Sequence, residues 1–235
     1  TPRSVTSCRL RLPTTKLVKR TSEAEFGLVV KYCSSLMASL ALHAMSNKGT
    51  TPPDSGFGVG VPDASTIRVY GDPVLKTLAA SITNIDGKLV SLAENMLHIM
   101  YEAPGLGLAG PQIGVQKQIF VYDVDDDPQV ILNPTIVESS GEWVYDEGCL
   151  SIPGLFVEML RPKEVLVRGL TLEGDEIEVE ADELLARLFQ HEIDHLQGVL
   201  MFDRMLPDQR KIALNEYQKH EKSPKNSEPV HVRLT

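Results

Sequence analysis

Several features that commonly identify a class of protein are scarce in this sequence. It has three cysteines, Cys8, Cys33 and Cys149, which are too few and too widely spaced for a disulfide framework, so a reducing compartment is favoured. No uninterrupted apolar run reaches the ~18 residues that a membrane-spanning helix needs, so no such helix is expected. Basic residues are in deficit, because 23 Lys and Arg stand against 32 Asp and Glu and give a formal net charge of -9. That balance argues against a protein whose main task is to bind DNA or RNA phosphates.

The remaining composition is that of an average globular protein. The 235 residues are 42% hydrophobic and 23% charged, which excludes wholesale disorder and fibrous classes. This length accommodates one domain of ordinary size with an appendage, or two small domains.

The first part of the chain differs from the rest. Its first 50 residues hold eight basic side chains and two acidic ones and are rich in Ser and Thr, and a Gly/Pro-rich linker follows at 56–62. A basic, acid-poor leader is typical of an organelle transit peptide. The alternative is an over-extended sequence whose natural start is Met37 or Met45, and a secretory signal is the weakest option because His43 interrupts the apolar run there. In every case we expect residues 1–62 to be poorly ordered or loosely attached, and the protein to be cytoplasmic, or organellar if the leader is a transit peptide.

Residues 63–210 have the pattern of a compact mixed domain. Apolar residues at three- and four-residue spacing predict helices over about 86–102 and 182–198. Beyond them, residues 211–235 are predicted to be a polar helix and a tail that frays after Glu221.

Strands are predicted where apolar runs are bounded by turn residues. Residues 117–124 and 129–132 form a pair around an Asp-rich turn, 142–146 is a further strand, and 164–180 folds as a hairpin. Because the strands are followed by a helix without regular βαβ alternation, we predict an α+β fold. Its mostly antiparallel sheets are expected to pack around a central helix at 182–198, which carries the HExxH motif.

The strongest chemical signal is this motif, which reads QHEIDH. His191 and His195 are four residues apart, so on a helix they project from one face and can bind one metal ion. Glu192 lies between them and can act as a general base on a metal-bound water. The competing interpretation is a helix with two surface histidines and an unrelated glutamate.

Neighbouring residues argue for an inward-facing histidine pair. Leu184 and Leu188 continue the same stripe, so the imidazoles extend an apolar face and would be costly to bury without a ligand. Asp194 is expected to orient a ligand, to pair with a base such as Arg161, or to be an ordinary surface carboxylate.

Two histidines need a third protein ligand if a fourth position is to hold water. A zinc-protease pattern would place a ligand where this chain has Met201, so that pattern fails, and Glu216 and His220 fall on the polar terminal helix. Cys149, in EGCLSIPG, is the preferred candidate because a thiolate binds zinc or ferrous iron strongly. A buried, inert cysteine is the alternative.

The third element is GLGLAGPQIG, residues 105–114. Its glycines allow the backbone to approach a ligand closely, but the run follows a helix and contains Pro111, so a phosphate-binding loop is disfavoured. The amide of Gln112 could donate a hydrogen bond to a developing oxyanion.

Together, GLGLAGPQ, EGCLS and QHEIDH resemble the three signature motifs of the peptide deformylase family, in their usual order, over roughly residues 65–210. The resemblance implies a hydrolase that removes formate from the N-formylmethionyl ends of nascent chains with Fe²⁺ or Zn²⁺, for which Ni²⁺ or Co²⁺ could substitute. It implies that Cys149, His191 and His195 are the metal ligands and that Glu192 is the general acid and base. One departure is visible: Gly110 stands where the family usually has Ala, which we expect to loosen the loop without removing a reacting group.

The resemblance also implies how substrate is held. Gln112 and the backbone N–H of Leu150 would stabilise the oxyanion. The backbone near Leu106, Gly107 and Gly148 would hold the peptide in strand-like fashion. The apolar stripe of Leu184 and Leu188 suggests a wall for the Met side chain, which predicts poor turnover of formyl-Asp peptides.

Two other functions stay open. A related metalloamidase or metalloprotease with a different substrate would share every motif. A non-catalytic, metal-stabilised module that docks at the ribosome would have no need of Glu192 and Gln112. The partners expected are the formylmethionyl N-terminus and, transiently, the ribosome, with no direct DNA binding. Arg210, Lys211 and Lys219 could touch ribosomal RNA or form a solvated face.

Overall fold

The computed structural model describes residues 66–224 and 227–233, together with the backbone of residues 15–18. The rest of the predicted leader, within residues 1–62, lies outside the described residues, so the prediction of its looseness stays a prediction.

Nine strands are present in the described part of the chain. They are β1 (Thr15–Val18), β2 (Gly107–Ala109), β3 (Ile119–Asp123), β4 (Pro128–Ser140), β5 (Trp143–Cys149), β6 (Ile152–Arg161), β7 (Glu164–Leu170), β8 (Glu176–Asp182) and β9 (Val230–Val232). A six-stranded sheet has the order β1-β8-β7-β4-β3-β2, and a three-stranded sheet has the order β5-β6-β9. All pairs are antiparallel except β1 with β8 and β6 with β9.

Four α-helices accompany the sheets in the described residues. They are α1 (Gly87–Glu102), α2 (Glu183–Leu196), α3 (Met201–Arg204) and α4 (Pro207–Glu221), with short 3-10 helices at Pro73–Lys76 and Gly110–Ile113. The Asp86 side chain caps α1 by accepting hydrogen bonds from the backbone N–H groups of Lys88 and Leu89. In the part of the chain that is described, none of the helices has the length and apolar character to span a membrane.

The large sheet is covered by a helix on each face. β3 is buried on both faces, because its side chains alternate between two clusters. Phe120 and Tyr122 pack with Phe189 of α2, whereas Ile119 and Val121 pack with α1. The result is an α+β fold with largely antiparallel sheets, as predicted, and α2 is buried along nearly its whole length.

A third cluster joins the small sheet to the C-terminal helices. Ile152, Leu155 and Val157 of β6 pack there with Phe202 of α3 and Tyr217 of α4. This packing places the C-terminal helices behind the hairpin that carries Cys149.

The secondary structure differs from the predictions in three places. β4 continues to Ser140 rather than ending near residue 132, and β6 was not predicted. The tail does not simply fray after Glu221, because β9 pairs with β6 and Val232 is buried in the third cluster. β6 was hard to see because Pro153 and Gly154 open it and a charged residue, Arg161, occupies a core-facing position at its end.

Candidate active site

The two histidines of α2 lie one turn apart and face inward. His191 is 8% exposed and His195 is 1% exposed, and their Nε2 atoms are 3.2 Å apart. Inward placement follows from the apolar stripe of the helix, which packs on the large sheet. The two ring nitrogens therefore converge on one point in the interior.

Cys149, the last residue of β5, completes this group. Its Sγ lies 3.2 Å from His195 Nε2, and the ligand atoms of Cys149, His191 and His195 are all within 4.8 Å of one another. Bonds of about 2.0 Å to nitrogen and 2.3 Å to sulfur would separate the ligands of a tetrahedral ion by roughly 3.3–3.6 Å. The three side chains therefore fit three of the four ligand positions around one tetrahedral divalent cation.

Glu147 fixes the orientation of the first histidine. Its Oε1 is 2.8 Å from His191 Nδ1, so a proton on Nδ1 leaves the Nε2 lone pair directed at the other two ligands. Glu147 also accepts two hydrogen bonds of 2.6 Å from Arg161 and one of 2.9 Å from Arg187. Burial alone raises the pKa of Glu147, but the charge and hydrogen bonds of Arg161, with a further hydrogen bond from His191, hold it well below its usual range.

Arg161, which is buried, links Glu147 to a second residue of α2, Asp194. Arg161 Nη1 donates to Asp194 Oδ2 at 2.9 Å, so of the alternatives that the sequence left open for Asp194 the structure has the pairing with Arg161. Asp194 also accepts hydrogen bonds from Arg204 of α3. A continuous chain of charged side chains thus runs from His191 through Glu147, Arg161 and Asp194 to Arg204.

Glu192 lies beside the histidine pair in a tight space. It is 4% exposed, and its Oε2 has no hydrogen-bond partner among the described residues. Burial raises the pKa of Glu192 to about 7, a shift that Glu147 reinforces and that the charge of His191 opposes. A carboxyl group that titrates near neutrality can both accept and return a proton.

Gln112 approaches the site from the short 3-10 helix at Gly110–Ile113. Its Oε1 accepts a hydrogen bond from the backbone N–H of Ala109 at 2.8 Å, which fixes the direction of the amide. Its Nε2 then donates toward Ser151 Oγ at 3.3 Å and lies 3.8 Å from Cys149 Sγ. A neutral donor is thereby held beside Cys149.

Two free strand edges flank the site. β2 ends the large sheet and β5 ends the small one, so each has a neighbour on one side only among the described residues. Gly107 lies on β2, Leu106 immediately precedes it, and Gly148 lies on β5. Free edges of this kind can pair with an extended peptide, which supports the predicted role of the backbone at these residues.

The remaining predicted residues occupy different environments. Leu150 follows Cys149 in the turn between β5 and β6, and Leu188 is buried in a cluster against which Leu106 packs. Leu184 is half-buried and lies outside that cluster. Leu188 is thus better placed than Leu184 to form an apolar wall near Leu106.

Gly110 does not loosen its loop, contrary to expectation. It is buried, and a Cβ built on it would lie 2.7 Å from the backbone oxygen of Val115 and 2.9 Å from that of Lys117. The backbone at Gly110 therefore packs directly against the backbone of Val115 and Lys117. A residue with a Cβ, such as the Ala that the family usually has, would push these segments apart.

Sequence reasoning missed two buried residues of the network around His191, Glu147 and Arg187. A signal for Glu147 was present: residues two apart on a strand face the same side, so Glu147 and Cys149 must point the same way. Arg187 gave no such signal, because a charged residue four positions before His191 is equally typical of an exposed helix face.

Comparisons with known proteins agree with this geometry. The family model for polypeptide deformylases matches residues 64–211. A peptide deformylase of Clostridium botulinum (strain Alaska E43 / Type E3) is 48% identical over 138 residues, which are 59% of this chain and 94% of the relative. One from Thermodesulfovibrio yellowstonii is 45% identical over 157 residues, or 65% of this chain and 95% of the relative.

Solved structures of peptide deformylases are also similar to this chain. A peptide deformylase from Synechococcus elongatus in complex with actinonin has a TM-score of 0.63 and 38% identity, and the match covers 70% of this chain and 91% of that one. A plant peptide deformylase has a TM-score of 0.64 and 34% identity, with 72% and 93% covered.

Proposed function

The chain belongs to the peptide deformylase family, and from that premise we propose that it is a metal-dependent hydrolase acting on the N-terminal formylmethionine of nascent polypeptides. The observation that carries this proposal is the convergence of Cys149, His191 and His195 within 4.8 Å, beside a buried glutamate that has an unpartnered oxygen. The reaction breaks the formyl C–N bond, adds water across it, and yields formate and a free amine.

The three ligands would hold Fe²⁺ or Zn²⁺, and Ni²⁺ or Co²⁺ also suit one thiolate and two imidazoles. A divalent cation in such a site supplies Lewis-acid chemistry, lowering the pKa of bound water and polarising a carbonyl. Glu147 and Arg161 keep the His191 ring in the orientation that ligation requires.

Glu192 moves the proton. Its free Oε2 takes a proton from the attacking water and then returns it to the departing amine nitrogen, which must be protonated to leave. A pKa raised to about 7 suits both halves of this cycle.

Gln112 and the turn after Cys149 receive the negative charge. As water adds to the formyl carbon, the former carbonyl oxygen becomes an oxyanion. Gln112 Nε2, held by the bond between Oε1 and Ala109, and the backbone N–H of Leu150 would donate to it. The hydrogen bond from Ala109 holds the Gln112 amide in one orientation before substrate arrives.

The peptide would lie extended between the free edges of β2 and β5, paired with the backbone near Leu106, Gly107 and Gly148. Leu188 would line the space for the Met side chain, and Leu184, which lies outside its cluster, is the less well placed of the two. Formyl-Asp peptides should therefore be poor substrates, because their carboxylate would lose hydration against apolar side chains.

The proposal is tested by formate release from formyl-Met-Ala-Ser by the metal-loaded protein, compared with Glu192→Ala. The variant should keep its metal and lose nearly all turnover, because the ligands are intact and the base is gone. Near-normal turnover by metal-replete Glu192→Ala would refute the assigned base. A wild-type protein that cleaves other amides but leaves the formyl group in place would instead be a related metalloamidase or metalloprotease.

Two finer points belong to the same proposal. Formylated chains are made in the bacterial-type cytoplasm and its organellar descendants, so we place the enzyme in the cytoplasm, or in an organelle if the leader is a transit peptide. Two of the basic residues that could touch ribosomal RNA are already paired with carboxylates. Arg210 lies 3.5 Å from Asp203, and Lys219 lies 2.5 Å from Glu216. These pairings favour a solvated face on α4 over an RNA-binding one.

A further inference from the structure

Phe156 is the centre of a row of three residues that crosses the small sheet. In the register of the strands it pairs with Gly148 of β5 on one side and with His231 of β9 on the other. Directly paired residues of neighbouring strands present their side chains on the same face. The C-terminal strand β9 therefore meets the β5–β6 hairpin, which carries Cys149, along one face of the small sheet.

The contacts along this row are close. A Cβ built on Gly148 would lie 2.6 Å from Phe156 Cε1, so the ring lies directly over the Gly148 backbone. On its other side, Phe156 stacks on the His231 ring, with 5.0 Å between centroids and 10° between planes. His231 Nδ1 is also 3.2 Å from Asp146 Oδ2, two residues before Gly148 on the same face.

The tail that supplies His231 is anchored independently of this ring. Val232 is 8% exposed and packs with Leu155 and Tyr217. The side chain of His231 points to the opposite face and is 53% exposed. Burial of Val232 thus holds β9 in place, and the ring of His231 is left to contact Phe156 and Asp146.

Gly148 is a point at which the strand needs support. It lies on the free edge of β5, it has no side chain to pack, and the pairing of β5 with β6 shifts register between Gly148 and Cys149. The Phe156 ring supplies the packing that residue 148 lacks.

We propose that His231 is a positioning residue for peptide binding: by stacking on Phe156 and pairing with Asp146, it holds the Gly148 backbone in the geometry that receives an extended peptide. The inference rests on the proposed function, which assigns this backbone to the substrate. It makes the C-terminal tail part of the substrate-binding apparatus, although it lies more than 30 residues beyond the last metal ligand.

The test compares wild-type protein with His231→Ala on two substrates, formyl-Met-Ala-Ser and formyl-methionine amide. Only the tripeptide has downstream backbone to pair with Gly148. The variant should raise KM for the tripeptide roughly three- to tenfold, the equivalent of losing one aromatic contact, with kcat within about twofold of wild type. For the amide, kcat/KM should stay within about twofold, and bound metal, measured by elemental analysis, should be unchanged.

His231→Phe keeps the stacked ring and should restore most of the KM for the tripeptide. His98→Ala is the matched control, because His98 is a half-exposed histidine that also lies next to a carboxylate, that of Glu102, on α1. An unchanged tripeptide KM in His231→Ala, an equal loss for both substrates, or a Phe variant no better than Ala would overturn the inference. Failure of the wild-type protein to release formate from either substrate would instead refute the proposed function, and this inference with it.

Discussion

Gly107 and Glu192 occupy adjoining space that leaves no room for one more carbon atom. A Cβ built on Gly107 would lie 2.6 Å from Glu192 Oε1 and 3.0 Å from its Cδ. The glycine of β2 therefore sets the position of the carboxylate that is proposed to move the proton.

Gly107→Ala should consequently displace the Glu192 carboxylate and lower kcat by about tenfold or more, since small misplacements of a reacting group are costly. Metal content should not change, because the three atoms nearest to a Cβ at Gly107 all belong to Glu192 and none to a proposed ligand. Gly87→Ala is the control: no atom lies within 4 Å of a Cβ there, so its kcat should equal that of wild type. Equal formate release by both variants would show that the contact does not constrain the base.

Glu147→Gln tests the carboxylate that orients His191. The amide can still contact the histidine, but the charge that pairs with Arg161 and Arg187 is lost. We expect metal affinity to fall about 10- to 100-fold, measured by competition with a chromogenic chelator. The free energy of unfolding should fall by roughly 3 kcal/mol or more because buried arginine charge is left uncompensated.

Glu94→Gln provides the comparison for this change, because Glu94 is exposed on α1. It removes the same charge without touching the site, so both its metal affinity and its unfolding curve should match wild type. If Glu147→Gln bound metal as tightly as Glu94→Gln, the brace on His191 would be unnecessary for ligation.

Gln112→Glu replaces the amide donor by a carboxylate while retaining an oxygen that can accept from Ala109. The loss of one oxyanion donor should lower kcat by about 10²- to 10³-fold, and the added negative charge should lower it further. Steady-state formate release together with metal analysis separates this effect from loss of the ion. A variant with wild-type kcat would remove Gln112 from the mechanism.

Asp203 gives a pH-dependent contribution to folding that is separate from the metal site. It accepts a hydrogen bond from the backbone N–H of Leu200 at 2.8 Å and pairs with Lys76. Burial raises the pKa of Asp203, but the Lys76 contact and the Leu200 hydrogen bond outweigh it, so the net pKa is lowered.

Because the folded pKa of Asp203 lies below its unfolded value, its stabilisation is complete above the unfolded pKa and disappears as pH falls through the folded one. Asp203→Asn should therefore lower the free energy of unfolding by about 1 kcal/mol at pH 7 and by progressively less in acid. Urea unfolding at pH 7 and pH 3 measures both values. A deficit of the same size at both values would assign the effect to packing rather than to charge.

The elements that were predicted well have strong local signals. α1 has a capping aspartate and a regular apolar stripe, and it begins at Gly87, one residue from the predicted start of the helix. β9 could not be predicted, because its partner β6 is remote in sequence, whereas β6 was obscured by Pro153 and Gly154 near its start and by the core-facing Arg161 at its end. Val230 and Val232 form a strand because their backbone pairs with β6 and their side chains pack in the third cluster.

In the candidate site, too, residues with a local sequence signal were predicted and residues that depend on tertiary contacts were not. Spacing on a helix predicted that His191 and His195 would converge, and the structure brings Cys149 to them from another element. The residues around them depend on the folded arrangement. Arg161 lies at the end of an unpredicted strand, and Arg187 reaches Glu147 from four residues before His191. A pattern within one segment cannot indicate such contacts, because they form only when β5, β6 and α2 are packed together.

Strand edges that admit an extended peptide also admit the edge of another copy of the protein. The described residues place no second neighbour beside β2 or β5, so the same backbone groups that would receive a nascent chain can initiate self-association. A peptide in the cleft would cover both edges at once. If the peptide binds as proposed, aggregation should be fastest in concentrated protein without substrate and slowest at saturating substrate.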